Sequence, residues 1–234
     1  MQLPNGPVLI LDTETGGFNP ARNPLLSIGL LVGDLGKVHS TISVKFVPPE
    51  GTWLEVPIRE DQLKGKYSKT IEFWLNLTTG EHMPPQEEKP VRFINAIAAE
   101  VNGFVGASET VVGWDTTKIA LWGQHTYETG LLVLIEWLAK QPKLNAVICH
   151  NADFDLGFVE AWLPGLMKVV PPNWHCTQDA YKHKFLGGKT KGSSLGAICK
   201  IAGFVPEEGH TYHTELGDCA ATHFIWGWLR GQGI

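Results

Sequence analysis

The sequence predicts an α/β fold in which a mixed sheet is flanked by helices. Two observations predict it: β-rich runs crowd the first fifty residues, and helical periodicity alternates with one short strand thereafter. The run at residues 7–12 (PVLILD) is apolar and closes on an acid, as a buried strand does. Residues 13–24, with Gly16, Gly17, Pro20 and Pro24, read as a loop. Residues 25–35 and 37–47 are β-rich runs divided by Gly36, which predicts a hairpin and hence an antiparallel meander of three strands. Residues from about 48 to 90, rich in proline and charge, read as an insertion with one short helix in KTIEFWLNL.

Residues 91–105 repeat Phe93, Ile94, Ile97, Ala98, Val101, Phe104 and Val105 at helical spacing and are expected to form a helix. A further helix is expected over 131–140, a buried strand over 146–150 and a helix over 154–163. Residues 164–175 read as a Pro-rich loop, followed by helices at about 177–186, 194–202 and 215–230. With no tandem repeat and no interdomain linker, residues 1–234 are expected to form a single domain.

Hydrophobic residues make up 43% of the chain and charged residues 18%, which excludes the disorder signature and allows a real core. The net charge of −5 does not by itself mark a nucleic-acid binder. Bound divalent cations would reverse the local sign at an acidic site. Cys149, Cys176, Cys199 and Cys219 are widely spaced and read as buried thiols in a reducing compartment. The first residues lack the pattern of a signal peptide, and the most apolar run, 131–139, holds Glu136 and is too short to span a bilayer. A cytoplasmic protein with no membrane partner is the expectation.

Three acidic clusters carry the candidate chemistry. Asp12 and Glu14 end the first strand and point to one face, roughly 7 Å apart along it. Two carboxylates aimed into one cleft repel unless a cation lies between them, and Mg²⁺ and Mn²⁺ prefer oxygen ligands. The second cluster, HNADFD at 150–155, follows a buried strand, where open sheets place their ligands. Within it Asp153 fits a helix N-cap, and Asp155 can point across the cleft. The third, HTELGD at 213–218, opens the last helix; His210 competes there with His213. Each cluster alone has a plain structural reading as a cap or a solvated acid.

The ordered combination of DxE, HNxxFD and HxxxxD resembles the DEDDh, or DnaQ-like, branch of the 3′→5′ exonucleases, over residues 7–47 and about 144–230. The other branch needs a Tyr four residues before the last Asp, where Thr214 stands. The resemblance implies a ribonuclease-H-like sheet. It also implies Asp12, Glu14, Asp155 and Asp218 as metal ligands and His213 as general base. WGQHTYETGLL at 122–132 echoes the second motif with Glu128 in the acid's place, but Asp155 follows the better strand.

The chemistry expected is phosphodiester hydrolysis with two divalent cations, Mg²⁺ or Mn²⁺. Such ions, about 3.5–4 Å apart, activate a water and stabilise the leaving oxygen. Nucleoside 5′-monophosphates would be released from single-stranded DNA or RNA. Thr15, Gly16, Phe18 and Asn151 are candidate substrate contacts: glycine permits close backbone approach, and Phe18 is either a base-stacking group or a core residue. Residues 181–206 hold five lysines and no acid, a solvated face or a phosphate tract. The sequence closes soon after the last helix, which suggests a freestanding enzyme rather than a polymerase subunit. Two alternatives stay open: a haloacid-dehalogenase-like phosphatase, and a non-catalytic nucleic-acid-binding relative.

Overall fold

Strand β1 (Val8–Thr15) is antiparallel to β2 (Leu25–Asp34), which is antiparallel to β3 (Lys37–Lys45). This is the expected meander in a computed structural model that describes residues 3–57, 71–85, 88–102, 123–206 and 214–234. The largely apolar run of β2, broken only by Ser27, is buried on both faces. The turn into β3 closes at Gly36, whose φ of 77° favours a glycine.

The insertion forms a second sheet. Strands β4 (Trp53–Pro57), β5 (Ile71–Asn76), β6 (His82–Met83) and β7 (Phe93–Ile94) lie in the order β6-β5-β4-β7. The helix expected in KTIEFWLNL is therefore a strand over Ile71–Asn76. Trp74 and Leu75 are both buried there: Trp74 meets Phe93 edge-on at 5.4 Å, and Leu75 joins Leu54, Val56, Ile94, Ala99 and Leu26. Burial on both sides favours the pleated form for β-branched and aromatic residues.

The helix expected over 91–105 also needs correction. Phe93 and Ile94 pair in parallel with Trp53 and Leu54, and helix α1 covers only Ala96–Val101. Asn95 sets that start, because its side chain accepts a hydrogen bond from Ala98 N at 2.7 Å. The remainder of the expected helix, 103–105, lies outside the described residues.

Helix α2 (Tyr127–Leu138) begins four residues earlier than expected, capped by Thr126, which accepts from Thr129 N at 3.3 Å. Strand β8 (Val147–Cys149) then pairs in parallel with the free edge of β1. Helix α3 (Ala152–Trp162) follows, with Asn151 rather than Asp153 in the cap position. The expected loop at 164–175 holds a 3₁₀ turn (Leu166–Lys168) and the start of β9 (Trp174–Cys176). Helices α4 (Thr177–Phe185), α5 (Leu195–Ala202) and α6 (Glu215–Gly231) match the expected bounds within a residue.

The main sheet has the order β3-β2-β1-β8-β9 with β1 at its centre. On one face Leu9, Leu11 and Leu30 pack with Phe158 and Val159 of α3 and Leu134 of α2. On the other, Val8, Ile10 and Leu31 pack with Tyr181 of α4, Ile198 of α5 and Ile225, Trp226 and Leu229 of α6. All four cysteines are buried and free, as expected of apolar thiols. Among the described residues, no helix is long and apolar enough to cross a membrane.

Helix α6 lies close upon β2 at Gly29, where a Cβ would stand 2.6 Å from the Glu215 carbonyl oxygen. Backbone cannot yield as a flexible side chain does, so Gly29→Ala must push the helix away. Overpacking of this kind costs about 1–3 kcal/mol. Urea unfolding of Gly29→Ala should show a loss of that order, and a midpoint equal to wild type would contradict the close approach.

Candidate active site

The cross-strand register carries the first two acids to one place. Asp12 pairs with Gly29, which pairs with Ser43; Glu14 pairs with Ser27, which pairs with Lys45. Residues in register share a face of the sheet, so Asp12 and Glu14 both face α6. Because Gly29 presents no side chain, α6 settles on that row, and Asp218 in its first turns reaches the two acids. Carboxylate oxygens of Asp12, Glu14 and Asp218 lie within 4.8 Å of one another. Thr214 caps the helix, its hydroxyl accepting from Gly217 N at 3.1 Å.

Asp155 arrives from the opposite face. It lies in the first turn of α3, is only 4% exposed, and its Oδ1 accepts from Thr13 N at 3.0 Å and Thr13 Oγ1 at 2.8 Å. Strand β8 ends at Cys149, so the N–H of Thr13 takes the Asp155 carboxylate where a longer strand would have offered a carbonyl. Helices on opposite faces thus each bring an aspartate to the end of β1.

This crowding governs the electrostatics. Burial, and then Asp155, Asp218, Glu14 and Glu215, hold the Asp12 pKa well above the usual carboxylate range. Burial, then Asp218, Glu215 and Asp155, raise Glu14 to about 8, against a lowering effect of Lys45. Burial raises Asp155 to about 7 although its bonds from Thr13 oppose the shift. Without a counter-charge the cluster holds protons. Its donors are all carboxylate oxygens, which suit a hard divalent cation. Asp12, Glu14 and Asp218, with Asp155 beside them, are the residues present to hold one.

Glu215 is the acid that the sequence did not single out. It is 6% exposed, its Oε1 accepts from Ser43 Oγ, and it acts on both Asp12 and Glu14. Its three-residue offset from Asp218 places both on one side of α6, the only sequence signal it gives.

The remaining candidates divide. Thr15 Oγ1 donates to Gly17 O at 2.7 Å, and Gly16 is held between Pro24 O and Asn95 N, both at 2.8 Å. This loop presents Phe18 at 82% exposure, with its ring centre 6.3 Å from that of Phe154 in an edge-on arrangement, so Phe18 is not a core residue. Asn151 is exposed and makes no side-chain cap bond. His150 is a buried tie between Thr177 Oγ1 and Ser193 O, both at 3.0 Å, and burial lowers its pKa to about 4. Asp153 and Glu128 are both exposed, on α3 and α2. His213 and its rival His210, with Tyr212, lie outside the described residues.

Of the lysine run, Lys182 bonds Gln178 and Asp179, while Lys184, Lys189, Lys191 and Lys200 are exposed. A cavity of about 970 Å³ lies between the β2–β3 hairpin and α6. It is lined by Leu35, Val38, Phe224 and Trp228 among others and by no carboxylate, so it does not suit the chemistry of the acid cluster.

No protein-family model and no curated protein matches this chain. Among solved structures, it is similar to Exonuclease X in complex with 5′-overhanging duplex DNA. The identity is 17% and the TM-score 0.54, over 96% of this chain and 92% of that one. The likeness is one of fold, and the mixed sheet with its flanking helices is of the ribonuclease-H-like kind.

The raised carboxylates set a pH dependence for the metal-free protein. Their folded pKa values exceed the unfolded ones, so the folded state binds more protons between about pH 4.5 and 8. The carboxylates alone make stability fall as pH rises through that window, while His150, held neutral by burial, opposes the fall below about pH 6.5. Melting temperature in chelator should decline from about pH 6.5 to pH 8, above the range in which His150 opposes the carboxylates, and Glu14→Gln should flatten the decline. Mn²⁺ should raise the melting temperature most at the alkaline end. A metal-free protein that gained stability between about pH 6.5 and 8 would contradict the shifts.

Proposed function

We propose that this chain is a single-domain, metal-dependent 3′→5′ exonuclease that hydrolyses single-stranded DNA or RNA to nucleoside 5′-monophosphates. The observation that carries the proposal is the gathering of Asp12, Glu14 and Asp218 oxygens within 4.8 Å at the end of the central strand, with Asp155 bonded to the intervening Thr13. The similarity of fold to an exonuclease supports the reading.

Asp12, Glu14, Asp155 and Asp218 would hold two divalent cations, Mg²⁺ or Mn²⁺. Bound there, the cations would supply activation of a water and charge stabilisation for the leaving 3′-oxygen. His213 would accept the proton of that water. Thr15 and Gly16 would present backbone to the terminal nucleotide, Phe18 would stack on its base, and Asn151 would contact it from the start of α3. The Thr13 bonds to Oδ1 keep Asp155 oriented, which limits the reorganisation needed when substrate arrives.

The test is degradation of 5′-labelled DNA and RNA strands with Mg²⁺ or Mn²⁺. A descending ladder is expected, with 3′-labelled strands releasing mononucleotide at once. Chelator should abolish the activity. Asp12→Ala and Asp155→Ala should each lower the rate by about a thousandfold, a loss of several kcal/mol of transition-state stabilisation. Asp153→Ala and Glu128→Ala should stay near wild type. Cleavage of closed circular strands, or full activity in chelator, would refute the proposal. So would turnover confined to small phosphomonoesters.

The general base has its own signature. His213→Ala should slow turnover by about a hundred- to ten-thousandfold and leave Mn²⁺ affinity largely intact, because the carboxylates remain. A pH–rate profile in which His210→Ala, not His213→Ala, loses its near-neutral limb would transfer the role to His210.

A further inference from the structure

Away from the acids, a group of cations gathers where the second sheet meets the loop that follows β1. The Arg22 guanidinium donates to Lys89 O at 2.8 Å and Pro90 O at 2.7 Å, and stands 5.2 Å from the centre of the Phe93 ring. Lys89 Nζ stands 5.0 Å from the same ring. Arg92 lies 5.6 Å over the Trp162 ring and donates to Glu50 O at 3.3 Å. Carbonyls and aromatic faces orient these groups without cancelling their charge. Lys89 has a carboxylate partner, Glu55 at 3.3 Å. Among the described residues, neither Arg22 nor Arg92 forms a salt bridge.

Their placement relates them to the acid cluster. Phe93 N donates to Arg22 O at 3.0 Å and Asn23 Nδ2 to Phe93 O at 2.8 Å, so β7 is tied to the loop running back to Glu14. Trp162 Nε1 donates to Pro20 O at 2.9 Å, tying the same loop to the end of α3. From Asp155 to Trp162 the helix advances about 10 Å, so the cations lie within reach of a strand whose end is at the acids.

We propose that Arg22, Lys89 and Arg92 form a binding tract for the phosphate backbone of a nucleic-acid strand, engaging phosphates upstream of the cut bond. Phe93 of the second sheet holds Arg22 and Lys89, and Trp162 of α3 holds Arg92, which gives the insertion a role in substrate binding. Only the position relative to a cut bond rests on the exonuclease reading; backbone binding does not.

The experiment measures binding of a labelled long single strand and a labelled dinucleotide in chelator, across a series of salt concentrations. It uses the full chain and the variants Arg22→Gln, Arg22→Lys, Lys89→Gln and Arg92→Gln. A Lys189→Gln, Lys191→Gln double variant represents the competing surface. Loss of each tract cation should reduce the slope of log affinity against log salt by about 0.7. Affinity for the long strand should fall, and dinucleotide binding should stay as in wild type. Arg22→Lys, which keeps the charge, should keep the slope. If Arg22→Gln fails to fold, Lys89→Gln and Arg92→Gln still decide the matter. Unchanged slopes in those two, or a loss confined to the Lys189, Lys191 variant, would overturn the tract. A chain with tract-dependent binding and no strand degradation in Mg²⁺ or Mn²⁺ would uphold the tract and sink the exonuclease reading alone.

Discussion

Mutual repulsion among the carboxylates at the end of β1 is the constraint on which the rest of the architecture depends. Burying several acids in one place costs free energy unless protons, hydrogen bonds or cations offset the charge. The fold supplies part of the offset: two bonds from Thr13 to Asp155, one from Ser43 to Glu215, and the field of Lys45 on Glu14. Burial first, and neighbouring acids after it, still hold the pKa values of Asp12, Glu14 and Asp155 above the usual carboxylate range. A chain shaped by stability alone would not keep this arrangement, and excess local charge of this sort is common where function requires it.

Holding the acids together takes both layers of helices. Asp155 depends on α3 beginning as soon as β8 ends, and Asp218 depends on α6 pressing onto Gly29. The Gly16–Asn23 loop then depends on two further supports: Asn95, just before α1, which donates to Gly16 O, and Trp162, which holds Pro20. The insertion is thus a brace for the segment that presents Phe18, and its small core around Leu54, Val56 and Ile94 gives the brace its rigidity.

What the sequence disclosed follows from how local each signal is. The apolar run of β1, the Gly36 hairpin and the helix expected over 215–230 are local readings, and the structure keeps them. The second sheet was illegible because β6 and β7 are two residues each, and their pairing with distant strands leaves no period to read. In β5, burial of Trp74 and Leu75 on both sides removed the polar alternation that separates a strand from an amphipathic helix. Asp12, Glu14, Asp155 and Asp218 were legible through motif order, whereas Glu215 looked like an ordinary acid in a helix's first turn. Only the register that sets Gly29 beneath α6 shows that it is buried.

The parallel pairing of β1 with β8 has a consequence for how the chain acquires its fold. Thr13 meets an acid 142 residues away, and Ile10 O meets a thiol 209 residues away. During synthesis β1 and β2 can zip together early, but one edge of an apolar strand stays uncovered until the segment around Val147 has emerged. Strands closed by such remote partners fold slowly, since the entropy of loop closure must be met before the contact forms. An exposed apolar edge is also a template for pairing with another chain. The stage at which this protein is most open to aggregation is therefore the half-made chain, when the meander exists and its far neighbour does not.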